Sequence, residues 1–293
     1  MKIHGIGINA HPARTDGRFE ELVRELTFFQ TIGYDYVEIP VDAVDVIYRG
    51  RIHTGQLRTL KRILERFKLK YTVHAPNALD LRDLENIEIQ RELFRSCVDF
   101  TKEIGAQIFV YHYGKRTNDP NVEDKMKETM VEIADYAARK EVLICVENIE
   151  IDTVDHVVEF VKELKHPAVW MTLDLGHAYL SANHFGFEFF EAVRKAAPYV
   201  RHIHVQDNFG IFERKRLTGY DEYKLIPYRR LLSLGKGDLH LPPGWGEVPL
   251  DEAFELLKNY EGVFMLEYHH QRYLSQAKEI YTAAKAYVER HRD

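Results

Sequence analysis

Val169-Trp170-Met171-Thr172-Leu173-Asp174 is a short, mostly apolar, β-rich run that ends on a carboxylate, and Leu175-Gly176-His177 places an imidazole three residues further on. A strand that ends in such a side chain aims it at a common rim when the strands run parallel and close into a barrel. Five more runs end the same way, at His74, His112, Glu147, His204 and Glu267. Asp238 and His240 join His177 as donors expected in the loops after two of these strands. Nine nitrogen and oxygen donors on one rim, none of them a thiolate, point to divalent metal. An unpaired carboxylate at the end of an apolar strand is costly, which argues the same way.

Working outward, β-rich runs alternate with helical patterns along the whole chain. The strands are expected at 3–8, 36–39, 70–74, 108–112, 142–147, 169–174, 202–205 and 263–267. Helices are expected at 18–32, 54–67, 88–104, 122–140, 153–164, 187–197, 250–258 and 275–290. Leu57, Leu60, Ile63, Leu64 and Phe67 repeat at three- and four-residue spacing, which is one buried helix face. Eight strand–helix units predict an α/β fold, a (β/α)8 TIM barrel. A doubly wound open sheet is the alternative, but no Gly-x-Gly-x-x-Gly follows the first strand. No linker or low-complexity run interrupts the chain, so residues 1–293 read as one domain. The connection between Asp207 and Asp238 is longer than a barrel loop needs. Its segment 208–237 is rich in Arg, Lys and aromatic residues. It reads either as a solvated helical excursion or as a lid-like insertion after strand 7.

The net charge of −6 disfavours a nucleic-acid coat protein, though not a local basic patch. Cys97 and Cys145 form no Cys-x-x-Cys pair and read as buried thiols. No run approaches the roughly 18 apolar residues of a membrane span, so a cytoplasmic protein with no membrane partner is expected. The outer helices of a barrel offer faces for a homodimer. Near the rim, Asn9 follows the first strand, Lys115 follows His112, and Trp245 lies in a Pro-Pro-Gly-Trp-Gly loop. All three are candidate substrate-binding residues. A Trp ring there packs well on sugar C–H groups.

Five stretches carry a family resemblance: Val73-His74-Ala75-Pro76, Val146-Glu147-Asn148, Asp174-Leu175-Gly176-His177-Ala178, His202 through Asn208, and Asp238-Leu239-His240 through Gly246. The sequence resembles the xylose-isomerase-like TIM-barrel superfamily, which holds sugar and sugar-phosphate isomerases and epimerases together with endonuclease-IV-type AP endonucleases. Resemblance to the isomerase branch implies one divalent metal (Mn, Zn, Co or Mg) on Glu147, Asp174, His204 and Glu267. It also implies Glu147 and Glu267 as an acid/base pair acting through an enediolate, and His177 on a substrate hydroxyl. Resemblance to the endonuclease branch implies up to three zinc ions. The sets would be His74, His112 and Glu147; Glu147, Asp174, His204 and Glu267; and His177, Asp238 and His240. The wording around the donors, Gly176 and Gln206-Asp207-Asn208 above all, is that of the isomerase group. A sugar or sugar-phosphate isomerase or epimerase is therefore the leading expectation. A trinuclear-zinc phosphodiesterase acting on nucleic acid comes second, and a non-catalytic, metal-dependent sugar-binding module third.

Overall fold

The computed structural model describes residues 1–292; Asp293, the last residue of the expected domain, lies outside the described residues. Eight parallel strands close into a barrel: β1 (Lys2–Asn9), β2 (Tyr36–Pro40), β3 (Lys70–His74), β4 (Ile108–His112), β5 (Leu143–Glu147), β6 (Val169–Asp174), β7 (Val200–Val205) and β8 (Glu261–Leu266). Closure is direct, with β1 against β8 from Lys2 opposite Glu261 to Ile8 opposite Leu266. The expected strands fall within two residues of these bounds. Each strand is buried on both faces, by the barrel interior and by an outer ring of helices, so it reads as an apolar run rather than an alternation.

The helix expected from the Leu57–Phe67 pattern runs from Thr54 to Leu64, with His53 capping it by accepting from the Gln56 N–H at 3.2 Å. It buries Leu57, Leu60, Ile63 and Leu64 against the core. Phe94, Phe100, Phe109, Phe160, Phe254 and Phe264 are completely or almost completely buried. Burying each such ring contributes about 2–3 kcal/mol. Among the described residues, no helix is long and apolar enough to cross a membrane.

The structure departs from the expected elements or refines them at several places. A helix, Leu175–Phe185, begins directly at the tip of β6 with Asp174 as its N-cap, whose side chain accepts from the His177 N–H at 2.6 Å. His177 thus sits in a helical first turn and not in a loop. A two-stranded hairpin pairs Ile47–Tyr48 with Arg51–Ile52. The 208–237 segment holds three short helices, Lys215–Thr218, Tyr220–Lys224 and Tyr228–Leu234. Leu231, Leu239 and Leu241 form a small apolar cluster of their own beneath it.

Candidate metal centre at the barrel mouth

Strand register assembles the donors. Parallel pairing sets His112 beside Glu147 on β4 and β5, and Asp174 beside His204 on β6 and β7. Glu147, Asp174, His204 and Glu267 offer ligand atoms that all lie within 4.8 Å of one another. The sets His74–His112–Glu147 and His177–Asp238–His240 meet the same criterion. All nine expected donors therefore converge in three adjoining clusters at the carboxyl end of the barrel. These clusters border a cavity of about 310 Å³ also lined by Asn9, His11, Asp42, Glu150, Arg216 and His269. A cavity of that size suits a small ligand.

Three of the imidazoles have one nitrogen occupied on the backbone and the other turned to a carboxylate. His74 Nδ1 bonds the Ala75 carbonyl at 2.8 Å, and its Nε2 faces Glu147 Oε2 at 3.3 Å. His177 Nδ1 bonds the Asn148 carbonyl at 3.1 Å, and its Nε2 faces Asp238 Oδ2 at 3.1 Å. His240 Nδ1 bonds the Glu267 carbonyl, and its Nε2 faces Asp238 Oδ2 at 2.8 Å. Donation from one ring nitrogen to a carbonyl fixes the tautomer that leaves the other free as a ligand. His240 also holds a left-handed φ of 43°, a strained setting typical of functional sites. Among the described residues, buried Asp174 Oδ2 has no hydrogen-bond partner, and buried Glu267 Oε2 has only the His204 Nδ1 contact at 3.0 Å, outside hydrogen-bond geometry. Orphaned carboxylate oxygens and free imidazole nitrogens aimed at common points fit a divalent cation, and the N/O donor set suits Mn²⁺, Zn²⁺, Co²⁺ or Mg²⁺.

The electrostatics match. Burial pushes the Asp174 carboxyl up to about 7, and the Glu267 and Glu147 charges add to the shift. Burial would depress His74 and His240, yet Glu147 raises the first to about 9 and Asp238 the second to about 10. Burial would raise Glu267, but His204 holds it down at about 2. Without a cation the cluster neutralises itself by keeping protons on histidine.

The surrounding motif residues brace these donors. Asn148 Nδ2 donates to the Asp174 carbonyl at 2.9 Å, and its Oδ1 accepts from the Asp174 N–H at 3.1 Å. Gln206 Nε2 bridges Asp174 Oδ1 at 3.3 Å and Asp238 Oδ1 at 3.1 Å. A Cβ on Gly176 would lie 2.2 Å from Gln206, so glycine is required there. Asp207 accepts from the backbone N–H groups of Asn208, Gly244 and Gly246 at 2.9 Å and Val248 at 3.0 Å, pinning the Pro-Pro-Gly-Trp-Gly loop.

The softer candidates fare unevenly. Asn9 lines the cavity, but its amide is engaged with Glu267 Oε1 at 3.1 Å and Glu38 Oε1 at 3.3 Å. Lys115 is exposed and outside the cavity lining. Trp245 is 44% exposed, stands edge-on to Tyr273 at 5.1 Å and is also outside the lining. Sequence reasoning missed Glu38, which is wholly buried beside the site. Its signal was a lone carboxylate inside the apolar strand Tyr36-Val37-Glu38-Ile39-Pro40. Arg216, from the first short helix of the 208–237 segment, reaches the cavity and pairs with Glu150.

A closed eight-stranded barrel with a His/Asp/Glu cluster at its carboxyl mouth defines a TIM-barrel protein with a metal-capable centre. The chain belongs to the xylose isomerase-like TIM barrel family, whose model matches residues 26–291. An uncharacterized protein of Methanocaldococcus jannaschii is 25% identical over 267 residues, 85% of this chain and 80% of that one. Among solved structures, a D-tagatose 3-epimerase-like protein superposes with a TM-score of 0.71 at 20% identity, covering 98% of each chain. The IOLI protein with a bound zinc atom gives a TM-score of 0.69 at 18% identity, over 98% of this chain and 97% of that one. A xylose isomerase-like protein of Mycobacterium smegmatis in complex with magnesium gives 0.67 at 18% identity, over 96% and 97%.

Proposed function

We propose that this protein is a divalent-metal-dependent isomerase or epimerase of a small sugar, with Glu147 and Glu267 as its acid/base pair. The observation that carries the reading is the convergence of both glutamates on His204 Nδ1, at 2.9 and 3.0 Å, beside Asp174, with Glu267 lining a small polar cavity. Glu147, Asp174, His204 and Glu267 would hold the cation, which when bound would orient sugar oxygens and stabilise negative charge on them. One glutamate carboxylate takes the proton from the carbon next to the carbonyl, giving an enediolate. A proton returned by the paired glutamate to the opposite face of that carbon gives the epimer; returned to the neighbouring carbon, with the hydroxyl proton passing from one oxygen to the other, it gives the isomer. His177 and Arg216, on the cavity wall, bind hydroxyls and hold the sugar in register. The epimerase-like neighbour supports this chemistry by fold only.

Among the described residues, Arg216 is the one Arg or Lys on the cavity wall, and Glu150 already neutralises it, whereas Asp42, Glu150, Asp238 and Glu267 all line the same space. That balance favours an uncharged sugar over a sugar phosphate. The 208–237 segment acts as a lid through Arg216. Metal-loaded protein should be incubated with free ketoses, aldoses and their phosphates in D2O. Deuterium entering one substrate carbon together with product is expected, and Glu267→Gln should cut the rate by about 10²–10⁴. Loaded protein that exchanges no carbon-bound hydrogen across the panel sinks the proposal. The completeness of the other two clusters supports a second reading, a three-metal phosphodiesterase, which three bound ions and cleavage of abasic-site DNA would establish instead.

A further inference from the structure

Glu38 lies on β2, below the donors, and none of the functional readings uses it. It is completely buried, an expensive position for a carboxylate. Four groups surround it: Asn9 Nδ2 at 3.3 Å, Thr72 Oγ1 at 2.9 Å, His202 Nε2 at 3.1 Å and His204 Nε2 at 3.0 Å. Three of these are hydrogen bonds. The His204 Nε2–H is angled off the line to the carboxylate, so that contact is electrostatic. The other nitrogen of the same ring, Nδ1, faces Glu147 and Glu267. Asn9 spans the second route, since its amide donates to Glu38 Oε1 and also to Glu267 Oε1 at 3.1 Å.

We infer that Glu38 is a positioning residue for the metal centre, holding the proton of His204 on Nε2 so that Nδ1 stays free for the cation, and setting the angle of Glu267 through Asn9. The inference rests on the metal-centre reading above. Its strength lies in the donor count. Asn9 Nδ2, Thr72 Oγ1 and the Nε2–H of His202 donate to the two carboxylate oxygens, and the His204 Nε2–H lies 3.0 Å from Oε1 in an electrostatic contact. A glutamine has one acceptor oxygen and presents N–H₂ on the other side. It leaves a buried donor unpaired, or it turns the tautomer of His202 or His204. A proton moved to His204 Nδ1 occupies the nitrogen that must face the cation. Burial alone would raise the Glu38 carboxyl. The facing His204 and His202 imidazoles outweigh it and keep the group ionised, consistent with the geometry. Partners of this kind behind a metal-bound imidazole are worth about 10–100-fold in metal affinity.

The experiment compares wild type, Glu38→Gln and Glu38→Asp in full-length protein. Chelator-stripped samples are titrated with Mn²⁺ by electron paramagnetic resonance, loaded with Co²⁺ for its visible spectrum, and melted without metal. Glu38→Gln keeps the side-chain volume, so its metal-free melting temperature bounds any general loss of packing. The expected result is a dissociation constant for Mn²⁺ raised 10–100-fold in Glu38→Gln, with an altered Co²⁺ spectrum. Glu38→Asp, which retains the charge, should recover part of the affinity. Glu38→Gln binding Mn²⁺ within twofold of wild type, with an unchanged Co²⁺ spectrum, overturns the role of Glu38 while leaving the metal centre intact. Wild type that binds no Mn²⁺ or Co²⁺ overturns both at once. A Glu38→Asp variant weaker than Glu38→Gln would show that shape, not charge, matters at this position, and would also overturn the inference.

Discussion

Adding metal to the stripped protein should raise its melting temperature, and by more at pH 8 than at pH 6. The magnitude follows from size and from the protons held in the site. With 293 residues and an unfolding entropy of about 2.1 cal/mol/K per residue, the transition entropy is roughly 0.6 kcal/mol/K. Free metal at 100 times its dissociation constant stabilises the folded chain by about 2.7 kcal/mol, hence by about 4 °C. The metal-free site keeps His204 protonated well above neutrality, because Glu267, Glu147 and Glu38 together outweigh its burial. A cation must expel that proton. Below the raised value each pH unit therefore strengthens apparent binding about tenfold, or about 1.4 kcal/mol per proton. Going from pH 6 to pH 8 at fixed free Mn²⁺ should add about 2.7 kcal/mol per expelled proton, a further 4 °C or so. Differential scanning calorimetry with and without Mn²⁺ at both pH values measures it. The same shift at both pH values would refute the proton inventory of the cluster, and no shift at either would refute the cation itself.

Other consequences can be checked separately. Gly176→Ala pushes a methyl into Gln206, so it should destabilise the protein by about 1–3 kcal/mol and loosen the bridge to Asp174 and Asp238, seen as a lower melting point and weaker Mn²⁺ binding. Arg82 holds Glu123 through two hydrogen bonds of 2.8 and 2.9 Å in a buried setting. Glu123→Ala should cost roughly 3 kcal/mol in urea denaturation, the low end for a broken buried pair because Arg82 keeps the Tyr113 carbonyl. Burial would raise the Glu123 carboxyl, but Arg82 and the Thr117 N–H hold it below its usual range. A depressed carboxylate contributes stability above its unfolded value near pH 4.3 and loses it as pH falls through the folded value. The wild-type advantage over Glu123→Ala should therefore shrink on acidification below about pH 4 and stay constant above pH 6. Phe94→Ala, in the core between Phe109 and Tyr111, should cost about 3–5 kcal/mol.

The barrel and its donors were legible because a parallel strand buried on both faces leaves an apolar run, and a polar residue at its end then stands out. His74, His112, Glu147, Asp174 and Glu267 were visible for that reason. The helix after Asp174 was not. Leu175, Gly176, His177, Ala178, Leu180, Ser181 and Ala182 are all buried, so the helix has no polar face and no periodic stripe to read. Glu38 escaped because it lies two residues inside its strand, where nothing but three-dimensional proximity relates it to His202 and His204. Arg216 was one cation among several in the 208–237 segment, and only the fold shows that it, and not Lys115, borders the cavity.

Where the long segment leaves and rejoins the barrel has its own implication. Asp207 and Leu241 exchange backbone hydrogen bonds of 2.9 Å in both directions, and the Asp207 side chain ties down the residues that follow. Residues 208–237 therefore depart and return at neighbouring, fastened points, and among the nine donors only Asp238 and His240 lie just beyond them, before Leu241. Such a stretch is a natural graft position. Shortening it or exchanging its tip would change what the mouth admits while the reacting carboxylates stay where they are.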